Sequence, residues 1–139
     1  MLFFGNMKPA EVLPNLVQKG KASFYAKKFT GRKTAYGERV RANALEGAHR
    51  FFPLNTLVEV TNVDNHRSVI VRINDRGPFT KGRVIDLTHA AAHALGMISK
   101  GVANVSLRVV GKGRALALTP LTNSFANPVV YQPLLEPVL

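Results

Sequence analysis

Val69-Ile-Val-Arg-Ile-Asn-Asp-Arg-Gly-Pro-Phe-Thr-Lys-Gly-Arg-Val-Ile-Asp-Leu-Thr88 opens as an apolar strand, breaks at Asn-Asp-Arg-Gly-Pro and resumes as a second apolar run. Counted with the strand period of two, Val69, Val71, Ile73 and Asp75 share one face, while Ile70, Arg72 and Asn74 share the other. Asp75 thus ends the more apolar row. A carboxyl against an apolar wall loses hydration, which disfavours its charged form and suits it to act as a general acid near neutral pH. The same residues also read as turn chemistry, with the side chain of an Asp before Arg-Gly-Pro capping nearby backbone amides.

Working outward, Leu57-Val-Glu-Val-Thr61 and Ser68 to Ile73 alternate as two strands, and Asn62-Val-Asp-Asn-His-Arg67 between them predicts a hairpin in which His66 stands where glycine would be easier. Arg83 to Leu87 is a third strand, and Val102 to Val110 closes the set. Thr88 is placed to cap a short helix, His89-Ala-Ala-Ala-His-Ala-Leu95, that stops at Gly96. Ala42 to Arg50 predicts a helical turn. Upstream, Ala22-Ser-Phe-Tyr-Ala is a weak strand that leads into Phe29-Thr-Gly-Arg-Lys-Thr-Ala-Tyr-Gly-Glu38, a polar loop with two glycines. Residues 1–19 read as an arm. Residues 112–139 read as a tail without regular period, because prolines 120, 128, 133 and 137 interrupt any long element. Short strands with one or two short helices predict a mainly all-β barrel over 20–111 rather than a parallel α/β sheet.

With 139 residues one core is expected, and 19 basic against 8 acidic side chains give a net charge of +11, so the surface attracts polyanions. Nucleic acid, anionic lipid and an acidic cell envelope all satisfy that charge. The absence of cysteine excludes disulfides, thiolate zinc sites, thiol nucleophiles and a lipid-modified cysteine within this sequence. No apolar run is long enough to span a bilayer, and Met1-Leu-Phe-Phe lacks the basic leader and longer apolar core of a secretory signal, so a soluble chain with no export address of its own is expected.

Five ordered segments carry a family likeness: Gly20-Lys-Ala-Ser-Phe-Tyr25; Phe29 to Glu38; Ala48-His-Arg50 with Pro53-Leu54; Val60-Thr-Asn-Val63; and Val71-Arg-Ile-Asn-Asp-Arg-Gly-Pro-Phe79 with Ile85-Asp-Leu87. Together they resemble the rare lipoprotein A family, double-psi β-barrel lytic transglycosylases of bacterial peptidoglycan. The resemblance covers Gly20 to about Val110. It implies a six-stranded double-psi β-barrel, a lyase acting on polysaccharide, cleavage of the bond between N-acetylmuramic acid and N-acetylglucosamine, and residence in the cell envelope. The implied partners are glycan strands poor in stem peptides, together with other cell-division or cell-wall proteins. Carried over by motif, Asp75 matches the catalytic aspartate, Glu38 a functional glutamate and His49 a functional histidine, while Asp86 matches an aspartate of the expansin-like relatives. Phe24 stands where tryptophan is common and His66 where glycine is common. The family's lipid-acceptor cysteine and peptidoglycan-binding repeat domain have no counterpart in the sequence as given.

A lytic transglycosylase needs one acid that later accepts a proton, because the sugar's own C6 hydroxyl attacks the anomeric carbon. Asp75 is the expected acid/base, and Glu38 is expected to steady positive charge or orient substrate. Arg76 suits either a lactyl carboxylate or a clasp on Asp86 or on Asp75 itself. Tyr25, Phe24 and Tyr36 could flank the groove as sugar-facing rings or pack into the core, Asp86 could touch substrate or serve the helix cap, and His49 could act in the site or as a structural donor. His89 and His93 at i, i+4 with Asp86 raise a metal reading, but Ala90 stands where a zinc-protease helix carries glutamate, so no metal and no cofactor is expected. Lys27-Lys-Phe-Thr-Gly-Arg-Lys33 could bind nucleic acid, although a basic loop meeting an acidic wall explains it without one. The main alternative is an expansin-like module that binds or loosens wall glycan without cutting it.

Overall fold

The computed structural model describes residues 15–113, 118–121 and 130–133. Strands β1 (Val17–Phe24), β2 (Glu46–Ala48), β3 (Thr56–Asn62), β4 (Ser68–Asp75), β5 (Arg83–Leu87) and β6 (Ala103–Lys112) close into a barrel in the order β1-β5-β2-β4-β3-β6. Two pairings are parallel, β1 with β5 and β2 with β4; the remaining four are antiparallel. Closure gives each of these six strands a partner on both sides. Helix α1 (His89–Ala94) follows β5 and sets Ala91, Ala92 and Leu95 against a core built from Val58, Val60, Val71, Ile73, Ile85, Leu87 and Leu107, all fully buried.

The expected hairpin forms, with His66 at φ 63°, a left-handed turn position that glycine would enter with less strain. Other expectations are corrected. Residues 42–44 turn, but Glu46–Ala48 is a strand rather than part of a helical turn, held between β4 and β5 by their backbone groups. Thr88 precedes α1, yet its hydroxyl binds the Glu46 amide and the Ala44 carbonyl instead of capping the helix. The first strand starts at Val17, inside the segment read as an arm. Within the segment read as a tail without regular period, β7 (Leu118–Leu121) and β8 (Val130–Pro133) pair as an antiparallel ribbon. The rest of both segments lies outside the described residues.

The backbones of β2 and β5 run close together at Gly47, where an added Cβ would lie 2.8 Å from the Asp86 carbonyl oxygen. Glycine there lets a three-residue strand fill the gap between β4 and β5.

Candidate active site

Register fixes the site. Ser23 stands opposite Asp86 (β1/β5), Asp86 opposite Ala48 (β5/β2), and Ala48 opposite Asp75 (β2/β4), so four strands carry one cross-strand row. Such residues project on one side of a sheet. The register of β4 against β2 shifts between Gly47 and Ala48: Gly47 pairs with Ile73, Ala48 with Asp75, and Asn74 is the extra residue. A bulge of this kind bends the strand and re-aims a side chain. It takes Asp75 out of the Val69, Val71, Ile73 row, whose members are buried in the core, and turns it into a cleft shared with Asp86. The expected contact of Asp75 with the apolar wall is thereby corrected.

The cleft has a volume of about 510 Å³, and its lining includes Tyr25, Asp75 and Asp86 with Arg32, Lys33 and Arg83. Asp75 accepts three hydrogen bonds. The amides of Ala35 and Arg76 reach Oδ1 at 2.7 and 2.8 Å, and the Tyr25 hydroxyl reaches Oδ2 at 2.8 Å. Asp75 enters no ion pair among the described residues. Asp86 receives the Ser23 hydroxyl. Burial, then the hydrogen bond to Asp75, push the Tyr25 phenol well above its ordinary pKa and keep it protonated.

Arg76, expected to clasp a carboxylate, donates from Nη1 to the Arg50 carbonyl at 2.9 Å and lies 5.3 Å from the centre of the Tyr36 ring. Tyr36 therefore offers that face to arginine. Phe24 meets His89 edge-on at 5.9 Å, and both line an adjoining, mostly apolar pocket of about 560 Å³ that shares Phe24 and Tyr25 with the cleft. His93 is exposed, and among the described residues no group of three or more His, Cys, Asp or Glu is arranged to hold a metal ion.

Glu38 is not among the residues lining the cleft and joins a charge cluster instead. Arg72, buried in β4, binds both Glu38 oxygens, one at 2.9 Å, and also Glu46 of β2, which Arg41 reaches at 2.9 Å. Asn74 adds a bond to Glu38 at 3.2 Å. The Arg72 hydrogen bond holds the Glu38 carboxyl below its ordinary pKa despite partial desolvation. This cluster anchors the loop of residues 31–40, itself closed by Gly31–Val40 and Val40–Arg32 backbone bonds at 2.8 Å, and the loop delivers the Ala35 amide to Asp75.

His49 extends β2, its amide bonding the Asp75 carbonyl at 3.1 Å, but its ring turns inward. Nδ1 accepts the amides of Phe51 and Phe52 at 3.0 and 3.1 Å, which puts the proton on Nε2, 2.8 Å from Gln18 Oε1; the ring stacks on Phe52 at 3.6 Å. Burial, aided by the Arg76 and Arg50 charges, lowers its pKa to about 3, so it is neutral at ordinary pH.

Sequence reasoning missed Glu46, Ser23, the Ala35 amide and Phe79. Phe79 is 75% exposed, the largest exposure among the described large apolar side chains, with Arg50 5.9 Å from its ring centre. An arginine inside an apolar strand was the available signal for the buried cluster; a backbone amide leaves none.

Crossed parallel pairs in a closed six-stranded barrel define a double-psi β-barrel, here carrying an acid-bearing cleft on one face. A family model described as lytic transglycolase matches residues 17–107, and the chain belongs to that family. It is 57% identical over 94 residues to a probable endolytic peptidoglycan transglycosylase RlpA of Synechocystis sp., covering 68% of this chain and 29% of that protein. It is 41% identical over 133 residues to an endolytic peptidoglycan transglycosylase RlpA of Campylobacter jejuni, covering 88% of this chain and 48% of that protein. The chain thus spans half or less of these relatives. Among solved structures, the Streptomyces papain inhibitor shares the fold, with a TM-score of 0.58 and 24% identity over 72% of this chain and 99% of that one.

Proposed function

We propose that the chain is an endolytic peptidoglycan lytic transglycosylase that cuts the glycan between N-acetylmuramic acid and N-acetylglucosamine in the cell envelope, with Asp75 as its acid/base. The observation that carries this reading is the Asp75 carboxylate, re-aimed by a bulge into an open cleft and fixed by neutral donors rather than by a guanidinium.

In the proposed reaction protonated Asp75 gives its proton to the glycosidic oxygen as the bond from that oxygen to the anomeric carbon breaks. The muramic C6 hydroxyl attacks the anomeric carbon, and its proton passes to Asp75, which restores the acid. No water is consumed, and the product is a 1,6-anhydro end. Asp86, oriented by Ser23, supplies negative charge toward the oxocarbenium-like state, a role that Glu38, tied to Arg72, is poorly placed to fill. Arg32, Lys33 and Arg83 give the cleft a basic rim suited to glycan carboxylates. Glycan strands poor in stem peptides are the proposed partner, and other division or wall proteins would be met through the envelope.

Digestion of purified sacculi by wild type and Asp75→Asn, followed by mass spectrometry, tests the reading. Wild type should release anhydro-ended fragments one water lighter than hydrolytic products, with release lost in the variant. Reducing ends would instead indicate hydrolysis. Glycan binding without fragments would indicate the expansin-like alternative.

A further inference from the structure

Asp75 presents its two oxygens unequally. Oδ1 accepts two backbone amides, which occupy both of its lone-pair directions; Oδ2 accepts the Tyr25 hydroxyl and, among the described residues, no second donor. A carboxylic acid proton cannot sit on an oxygen that already faces two N–H groups. We propose, resting on the function above, that Oδ2 is the oxygen that exchanges the proton with the glycan, and that Tyr25 is a positioning residue whose hydroxyl aims that oxygen and strengthens its hold as the carboxylate forms.

Two independent anchors support the assignment. Tyr25 follows β1 directly, and its amide bonds the Leu87 carbonyl at 2.9 Å, so the phenol approaches from the β1/β5 side of the cleft. The Ala35 amide arrives from the 31–40 loop, which Glu38 fastens to Arg72. Besides the adjacent Arg76 amide, the carboxylate is therefore held by donors from two separate segments of the chain. A hydrogen bond to a carboxylate is stronger than one to a neutral acid. The Tyr25 bond consequently tightens while the proton leaves and loosens when it returns, which is differential stabilisation of the charge-developing state. Tyr25 does not itself give up its proton, because burial and Asp75 keep the phenol protonated.

The other charged groups near Asp75 are fixed in kind. Asp86, Arg32, Lys33 and Arg83 line the same cleft. Arg76 is adjacent and turned to the Arg50 carbonyl, and His49 is neutral. All remain in a Tyr25→Phe chain, which keeps the ring and removes one hydroxyl.

The experiment compares wild type and Tyr25→Phe on stem-peptide-free glycan strands across pH. For the variant, kcat should fall roughly 10- to 100-fold with KM unchanged. Its pH–rate profile should differ from that of wild type, a change that loss of a merely structural contact would not produce. Unchanged kcat and pH profile, or a raised KM with kcat intact, would overturn the proposal; the second result would make Tyr25 a sugar contact. Carboxyl carbon-13 NMR spectra of Asp75, taken for both chains at one pH without substrate, read the same hydrogen bond. The Asp75 resonance should move in Tyr25→Phe, and an unmoved resonance would overturn the proposal. Wild type that releases no anhydro ends would refute the function, while the spectra still decide the role of Tyr25.

Discussion

Replacing Glu38 with alanine separates two ways in which a glutamate can matter to this cleft. Direct action would have the carboxylate face substrate. The structure instead binds both oxygens to Arg72 and one to Asn74, on the loop that carries Ala35 to Asp75. The Arg72 side chain is 6% exposed and that of Glu38 36%. Breaking a fully buried ion pair costs about 3–5 kcal/mol, whereas an exposed pair contributes about 0–1 kcal/mol. Arg72 keeps Glu46 as a counter-ion, and Glu38 is partly hydrated, so Glu38→Ala is expected to cost about 1–2 kcal/mol. Activity should fall through loss of aim, roughly 10-fold, as expected when a supporting contact is lost rather than the acid itself. Urea unfolding gives the stability change, release of anhydro ends gives the rate, and hydrogen exchange at the Ala35 amide reports the loop. A double-mutant cycle with Arg72→Met should recover a coupling of about 1–2 kcal/mol between Glu38 and Arg72. If Glu38→Ala abolishes turnover as fully as Asp75→Asn while stability, Ala35 protection and coupling stay at wild-type values, the anchoring argument is wrong and Glu38 acts on the sugar.

Two further outcomes are expected. His49 has a folded pKa of about 3, below the 6.5 of a free imidazole, so its neutral form contributes stability that is fully present above pH 6.5 and is lost as pH falls toward 3. Thermal melts should show Tm declining over that window, and His49→Gln should flatten the decline attributable to this residue; an equally steep decline in the variant would reject the assignment. Phe79 offers an open aromatic face four residues beyond Asp75, and Phe79→Ala should raise KM for glycan strands roughly 3- to 10-fold with little change in kcat, a split that unchanged KM would contradict.

Local signals carried the strands, the hairpin and the choice of Asp75 as a candidate, because alternation and the Asn-Asp-Arg-Gly-Pro break are properties of consecutive residues. Reading Asp75 as the end of an apolar row failed for a non-local reason. The extra residue, Asn74, is extra only relative to β2, and a bulge belongs to a pair of strands rather than to one. Glu46–Ala48 was misread because alanine, leucine and glutamate favour helix, while a three-residue strand draws its stability from the neighbours on each side. Tyr25 was legible as an aromatic near the groove but not as a donor, since its partner is fifty positions away. His49 was legible as either a site or a structural residue, and its inward ring gives it the structural donor's contacts. The charge cluster hid in plain view: Arg72 was visible on the second face of β4, but Glu38 and Glu46 meet it only through the barrel closure.

The cross-strand row also constrains the chemistry. Asp75 and Asp86 occupy β4 and β5, with β2 between them, so two strand spacings, about 10 Å, separate their backbones. A glycosidase uses two carboxyl groups across the scissile bond, one as acid and the other to attack carbon or to activate water. Here Asp86 is bound by Ser23, and Asp75 directs one oxygen to two amides and the other to a phenol. Neither is presented as a naked nucleophile. The arrangement is consistent with the proposed single acid beside a second carboxylate, with a substrate that brings its own nucleophile. In the proposed reaction the bulge at Asn74 matters for aim: by the strand period the aspartate would otherwise follow Ile73 into the core, and the cleft would lose the carboxyl assigned as its acid.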